Sequence, residues 1–386
     1  MRNKIIFDFG FGYKLCINLQ CCFIQRVPSH VNPFLMPAIS FVFIIISFFI
    51  PVLQAQPGGA ATYSFLNLTP SPQVAALGGK INAVPGSDPA LCFYNPALLD
   101  SSANNYLSLN YVSHFAGINF GYAAYSRSYR SSGNFAVGIH YLNCGKFTGA
   151  DESGLLTGDF TAGEYAFNIT YSRSLPWLDS VLLVGVNLKP LLSTLENYTS
   201  YGLLADVGIT YRHPDRLFTA ALVLRNMGGQ LTAYADGGRE PIPFEIQLGI
   251  SQRLQHAPFR FSLLVQHLER LRLGGDNPDS DQSSNGQTAA DNDSKNGLEL
   301  FADEAMRHIL IGVECFPFKF LTVRAGYNYN RRQDLKIPAY AGLVGFSCGF
   351  GIRVSNWHID YARSRWHLAG ASNHFSVSVD LGAKKP

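Results

Sequence analysis

From residue 105 onward the chain returns repeatedly to segments of about ten residues in which apolar and polar side chains alternate, the pattern of a transmembrane β-strand. Fourteen such segments can be marked, at 105–113, 115–127, 133–143, 163–174, 180–190, 200–212, 216–227, 243–254, 259–268, 306–316, 319–329, 340–353, 356–363 and 373–382. The number is even, as a closed bacterial barrel requires. The composition agrees: 47% of residues are hydrophobic and only 15% charged, with 36 Gly and 28 Phe, yet no apolar run beyond residue 56 is long enough for a spanning helix. A polytopic helical membrane protein is thereby excluded. A net charge of +3 with no Lys/Arg cluster leaves no electrostatic footprint for nucleic acid.

Alternation alone does not separate a barrel from a soluble sandwich, since both have two unlike faces. In 243–254, Phe244, Ile246, Leu248 and Ile250 share one face while Glu245, Gln247, Gly249 and Ser251 share the other. The charges on the polar face decide. Lys189, Asp206, Arg260, Glu314, Arg324, Asp360 and Asp380 all fall within strands on that face, and in a sandwich core an unpaired charge is strongly destabilising. A barrel resolves the conflict with an apolar exterior and a charged lumen, where these seven residues would form a salt-bridged network. The expected fold is all-β, a transmembrane antiparallel barrel of 14 strands. Tyrosines toward strand ends (Tyr106, Tyr111, Tyr141, Tyr171, Tyr211, Tyr329, Tyr361) fit aromatic girdles.

Connection lengths give an independent test, because a barrel of this kind has short turns at one end and longer loops at the other. Connections after the even-numbered strands are brief. Those after the odd-numbered ones run 144–162, 191–199, 228–242, 269–305, 330–339 and 364–372, the first hairpin at His114 excepted. Segment 269–305 has nine acidic residues against three basic, and its centre is too polar to fold alone. It reads as a long acidic extracellular loop. Arg239, Arg331 and Arg332 in the outer loops are candidate polar anchors for a partner, since Arg is favoured at interfaces.

Pro37 to Leu53 (PAISFVFIIISFFIPVL), followed by Gln-Ala-Gln, reads as the core of a secretory signal, with 1–55 removed and Met36 a candidate true start. A retained membrane anchor is the other reading. Cys92, Cys144, Cys315 and Cys348 lack metal-ligand spacing and read as small apolar fillers, a Cys92–Cys144 pairing being the alternative.

Residues 56–104 lie between this signal and the barrel at 105–382, which a short tail at 383–386 follows. They are dense in Leu, Phe and Tyr, which suits an N-terminal plug in the lumen better than a loose tail. Asn95-Pro96-Ala97 has an N-cap followed by Pro at the first helical position.

No enzyme is expected. Gly78-Gly79-Lys80 lacks the rest of a P-loop. His358, Asp360, Ser376 and Ser378 contain the members of a hydrolase triad, but all four face inward and read as a hydrogen-bond network. No catalytic, cofactor or metal site is assigned.

The motifs YSFLNL (Tyr63–Leu68), AALGGK (Ala75–Lys80) and NPALL (Asn95–Leu99) resemble the PorV/PorQ proteins of the type IX secretion system, relatives of the FadL-like fourteen-strand barrels. YLNCGKFTGADESG (Tyr141–Gly154), REPIPFEIQLGIS (Arg239–Ser251), HAPFRFS (His256–Ser262), RAGYNYNRRQDLKI (Arg324–Ile337) and LAGASNHFSVSVDL (Leu368–Leu381) are similar to the PorQ branch. The resemblance implies a non-enzymatic member of the outer-membrane attachment complex that tethers PorZ at the cell surface. Its partners would be PorU and PorV, with cargo attached to anionic lipopolysaccharide. Ala383-Lys384-Lys385-Pro386 departs from the expected terminal aromatic residue. A FadL-like carrier of hydrophobic molecules is the alternative, marked by an apolar pocket and a gap in the wall.

Overall fold

The computed structural model describes residues 6–9, 13–16 and 61–382, apart from 130–131, 151–152, 154, 178–179, 216, 235–237, 271–272, 274–296, 336–342 and 368–369. Residues Met1–Gln56 form a unit of their own, in which Ile6–Phe9 pairs antiparallel with Tyr13–Cys16. The expected signal core, 37–53, lies outside the described residues.

The second unit is a closed antiparallel barrel of fourteen strands, as the alternation predicts. They are β1 (Tyr106–Ser113), β2 (Asn119–Tyr129), β3 (Gly133–Ala150), β4 (Leu156–Trp177), β5 (Ser180–Leu195), β6 (Tyr198–Arg212) and β7 (Phe218–Thr232). The ring continues with β8 (Glu245–Arg253), β9 (Phe259–Val265), β10 (Ile309–Phe318), β11 (Leu321–Asn328), β12 (Phe346–Val354), β13 (Trp357–His367) and β14 (Gly370–Asp380). It closes where β14 pairs with β1, from Asn373 opposite Ser113 to Asp380 opposite Tyr106. Each strand therefore has two neighbours, and no edge is left to aggregate.

Alternation sorts the side chains. Val137, Phe167, Ile169, Leu248, Ile250, Ile311, Ile359 and Val377 stand exposed on the outside, while Asn168, Asn187, Gln247, Glu314, Asp360 and Ser376 are buried on the inside. An apolar outer face of this extent is what a bilayer covers. No helix among the described residues is long and apolar enough to cross a membrane.

Three of the expected loops are largely strand. β3 and β4 pair out to Ala150 and Leu156, β5 and β6 turn at Glu196-Asn197, and β13 and β14 reach His367 and Gly370. Segments 144–162, 191–199 and 364–372 therefore extend the wall. Beyond an apolar belt both faces of a strand meet water, so hydrophobic alternation stops while the hydrogen-bond ladder continues. Two further loops contain helices, α2 (Gly297–Arg307) at the end of 269–305 and α3 (Tyr329–Leu335) at the start of 330–339. The acidic centre 274–296 lies outside the described residues.

Residues 61–104 hold one short helix, α1 (Pro72–Ala76), and four turns of 3₁₀ helix. Asn95 occupies the N-cap of the turn Pro96–Leu98, its Oδ1 accepting from the Ala97 N–H at 2.9 Å with Pro96 at the first position. Most residues from Tyr63 to Ala103 are buried. Tyr63, Phe65 and Leu66 pack with Phe120, Leu142, Leu191 and Leu204 of the wall. Leu77, Ile81 and Val84 pack with Leu264 and Leu310 on the far side of the ring.

Candidate functional site

The inward face carries two charge clusters. In the first, Lys189 on β5 places Nζ 2.6 Å from Asp206 Oδ2 on β6 and donates to Asn226 Oδ1 on β7 at 3.0 Å. Asn187 Nδ2 donates to Asp206 at 3.1 Å and to Asn168 at 2.9 Å, so the polar row runs across four strands. A β-bulge completes it. Arg225 and Asn226 together oppose the single residue Asp206, with Asn226 left-handed at φ 57°, and both side chains are buried. The Asn226 N–H donates to Asp206 Oδ1 at 2.8 Å, so both carboxylate oxygens are occupied. The cations converge on Phe93 of the pre-barrel segment, with Lys189 Nζ 5.1 Å and Arg225 Cζ 5.6 Å from the ring centre.

The second cluster is a chain of alternating sign on β9 to β13. Arg260 donates to Glu314 at 2.9 Å, Glu314 accepts from Arg324 Nε at 2.9 Å, and Arg324 Nη1 donates to Asp360 at 2.5 Å. Of the seven predicted lumen charges, six thus fall into two networks. Asp380 joins neither; it sits at the end of β14 and accepts from the Gly382 N–H at 2.8 Å.

A third group was not predicted. Lys80, in the pre-barrel segment, donates to both oxygens of Glu245 at 3.0 Å and lies 3.2 Å from His267 Nε2. His267 Nδ1 in turn meets Glu269 at 2.8 Å. At the opposite end Arg212 donates to Asp100 at 2.6 Å.

Neutral hydrogen bonds tie the same segment around the ring. Tyr63 OH and Ser200 Oγ lie 2.6 Å apart, Asn82 donates to Gln247 at 3.1 Å, and Asn95 donates to Thr210 at 2.9 Å. Ser251 donates to the Ala83 carbonyl, Asn134 and Ser172 to that of Leu99, and Ser347 to that of Ala76. Close approach requires glycine on the wall. A Cβ on Gly185 would collide with the Pro96 backbone, and one on Gly326 with the backbone of Leu77 and Gly78. Burial raises the Asp88 carboxyl to about 6, while Oδ1 accepts from the Ala90 N–H at 2.8 Å.

The loop arginines separate. Arg239 is exposed beside β8. Arg331 is not the surface anchor expected of it: its guanidinium reaches in to Gly79, and burial lowers its pKa to about 10. Its short helix turns the side chain toward the lumen. Arg332 lies half-buried, its Cβ against Gly345.

For the inward Ser-His-acid set, the register puts Ser378 opposite His358 and Ser376 opposite Asp360. Asp360, however, is held by Arg324, and His358 Nδ1 stands 3.6 Å from it. Cys92, Cys144, Cys315 and Cys348 are all free thiols. Among the described residues no cluster of His, Cys, Asp and Glu could hold a metal ion.

No family model and no curated protein matches the chain. Solved structures do. A TodX deltaS2S3 mutant monoaromatic hydrocarbon channel is similar at a TM-score of 0.50 and 11% identity, over 81% of this chain and 99% of that one. The Ralstonia pickettii toluene transporter TbuX is similar at 0.47 and 14%, over 82% and 98%. The P. putida toluene transporter TodX is similar at 0.48 and 12%, over 82% and 100%. At these identities the likeness concerns the fold alone, a closed antiparallel barrel of fourteen strands.

Proposed function

We propose that the protein is a non-enzymatic outer-membrane anchor of the type IX secretion attachment complex. Residues 61–104 plug the lumen, and the long-loop end faces the cell surface and holds PorZ, with PorU and PorV, where cargo is matured and joined to anionic lipopolysaccharide. One observation carries this reading: the segment 61–104 is tied to strands on every side of the ring by ion pairs and by hydrogen bonds such as Asn82–Gln247, Asn95–Thr210 and Ser347–Ala76. A lumen so occupied leaves the loop end as the working surface.

There Arg239 and Phe301 of α2 are exposed, and the β3–β4 hairpin carries Leu155 and Leu156 at its tip, about 70% exposed. Apolar side chains rimmed by charge suit a protein partner. A carrier of hydrophobic molecules is less favoured, because Asn, Ser, Thr and paired charges line the inward face.

The test is an affinity pull-down of the detergent-extracted protein from its native outer membrane, with the outer loops deleted one at a time. Co-purification of PorZ that is lost with one loop supports the tether and locates its surface. A barrel that emerges alone, carrying a lipid or fatty acid in the mass spectrum, overturns it in favour of the carrier.

A further inference from the structure

A cavity of about 400 Å³ opens at the short-turn end, away from the loops discussed above. That volume is within the usual range for small-ligand sites. Residues 85–88 of the pre-barrel segment form one side, and the ends of β8 to β13 form the rest. Its lining is strongly basic, with Arg253, Arg260, Lys319, Arg324 and Arg353 joined by His358.

Two of the five cations are compensated. Arg260 and Arg324 share Glu314, and Arg324 also holds Asp360. Asp88 keeps one oxygen on the Ala90 N–H, the other being buried without a hydrogen-bond partner. Among the described residues Arg253, Lys319 and Arg353 form no ion pair, and all three are exposed. Phe316 positions part of this set, its ring lying 4.9 Å from the Arg253 guanidinium and 5.4 Å from that of Arg260. Guanidinium groups fixed at the wall of a cavity lose little freedom on meeting an anion.

We infer that this short-turn mouth binds a multiply charged oxyanion of the phosphate class. The charge count selects the class: three cations outside any ion pair, set against the one carboxylate of Asp88, match a group carrying two negative charges, whereas a single carboxylate supplies one. Arg forks and a Lys point charge are both suited to phosphate oxygens. A phosphate-bearing lipid headgroup and a free phosphate or pyrophosphate present the same chemistry to these residues.

Two arms distinguish the sources. The first titrates inorganic pyrophosphate into the full detergent-purified chain by calorimetry; the second measures phospholipid that co-purifies, by mass spectrometry. The comparison variant is Arg253→Gln/Lys319→Gln/Arg353→Gln, whose side chains face water and leave the lumen networks intact. Saturable pyrophosphate binding that weakens at least tenfold in the variant supports the site. Phospholipid retained by the wild type and lost from the variant supports it too, and assigns the lipid source. No binding in either arm overturns it. So does binding that persists in the variant, that weakens equally when the remote cations Lys146 and Arg239 are neutralised, or that a glutamate-rich peptide of equal charge displaces with equal strength.

Discussion

Lys189 and Asp206 meet at 2.6 Å on neighbouring strands, both fully buried, and every polar atom of the pair has a partner. Such a pair is costly to break and cheap to replace, because the penalty falls on whichever charge is left alone. Lys189→Met should therefore cost about 3–5 kcal/mol. Lys189→Met combined with Asp206→Leu should recover most of the loss. Urea denaturation of the barrel refolded in detergent measures both.

Gly185 is crossed by the backbone at Pro96 with no room for a Cβ. Gly185→Ala should destabilise by about 1–3 kcal/mol, the usual cost of overpacking. The segment 61–104 should also be cleaved faster than the strands in limited proteolysis. Gly229→Ala is the control, because a Cβ there meets nothing.

Asp88 provides a pH test. Burial raises its folded pKa to about 6, above the ordinary carboxylate value near ~4 that applies when the chain is unfolded. A raised folded pKa means that the native state holds the proton more tightly. The resulting stability is fully present below pH ~4 and is lost as pH rises through about 6. Asp88→Asn keeps the acceptor for the Ala90 N–H and removes the titration. Wild type should lose on the order of 2–3 kcal/mol relative to this variant between pH 4 and 7. Denaturation at a series of pH values reads the difference.

Phe167 is 48% exposed on the outer face of β4, opposite Ile139. If a bilayer covers that face, Phe167→Arg should cost about 2–4 kcal/mol in lipid vesicles, the penalty of a cation near the midplane. Ala166, its inward neighbour, is packed against the pre-barrel segment and is no guide to the lipid face. Folding equilibria in vesicles of defined composition check the value.

The strands were legible because lipid and lumen impose opposite demands on adjacent residues, and the alternation from Phe244 to Ser251 records this directly. Their outer ends were not. At Ser193–Leu195 and Tyr198–Ser200 the ladder continues without an apolar face to mark it. The lumen charges were legible by parity, but their partners depend on register and on contacts far apart in sequence. Lys80 and Glu245 are separated by 165 residues. Arg225 keeps the inward parity of Thr219, Ala221 and Val223, but those inward neighbours are small or apolar, so no contrast of polarity marked that face as the lumen side; the bulge shifts the parity only from Asn226 onward. One unused signal was present: Gly185, Gly208, Gly249, Gly312, Gly326 and Gly349 share parity with the lumen charges, and at each the pre-barrel segment passes against the wall.

Those glycines also bear on how the molecule is made. Residues 61–104 run directly into β1, which forms half of the closing seam with β14. A bulky chain anchored at that seam is not easily threaded into a finished cylinder. The geometry therefore favours closing the β14–β1 seam with residues 61–104 already in place over inserting them afterwards.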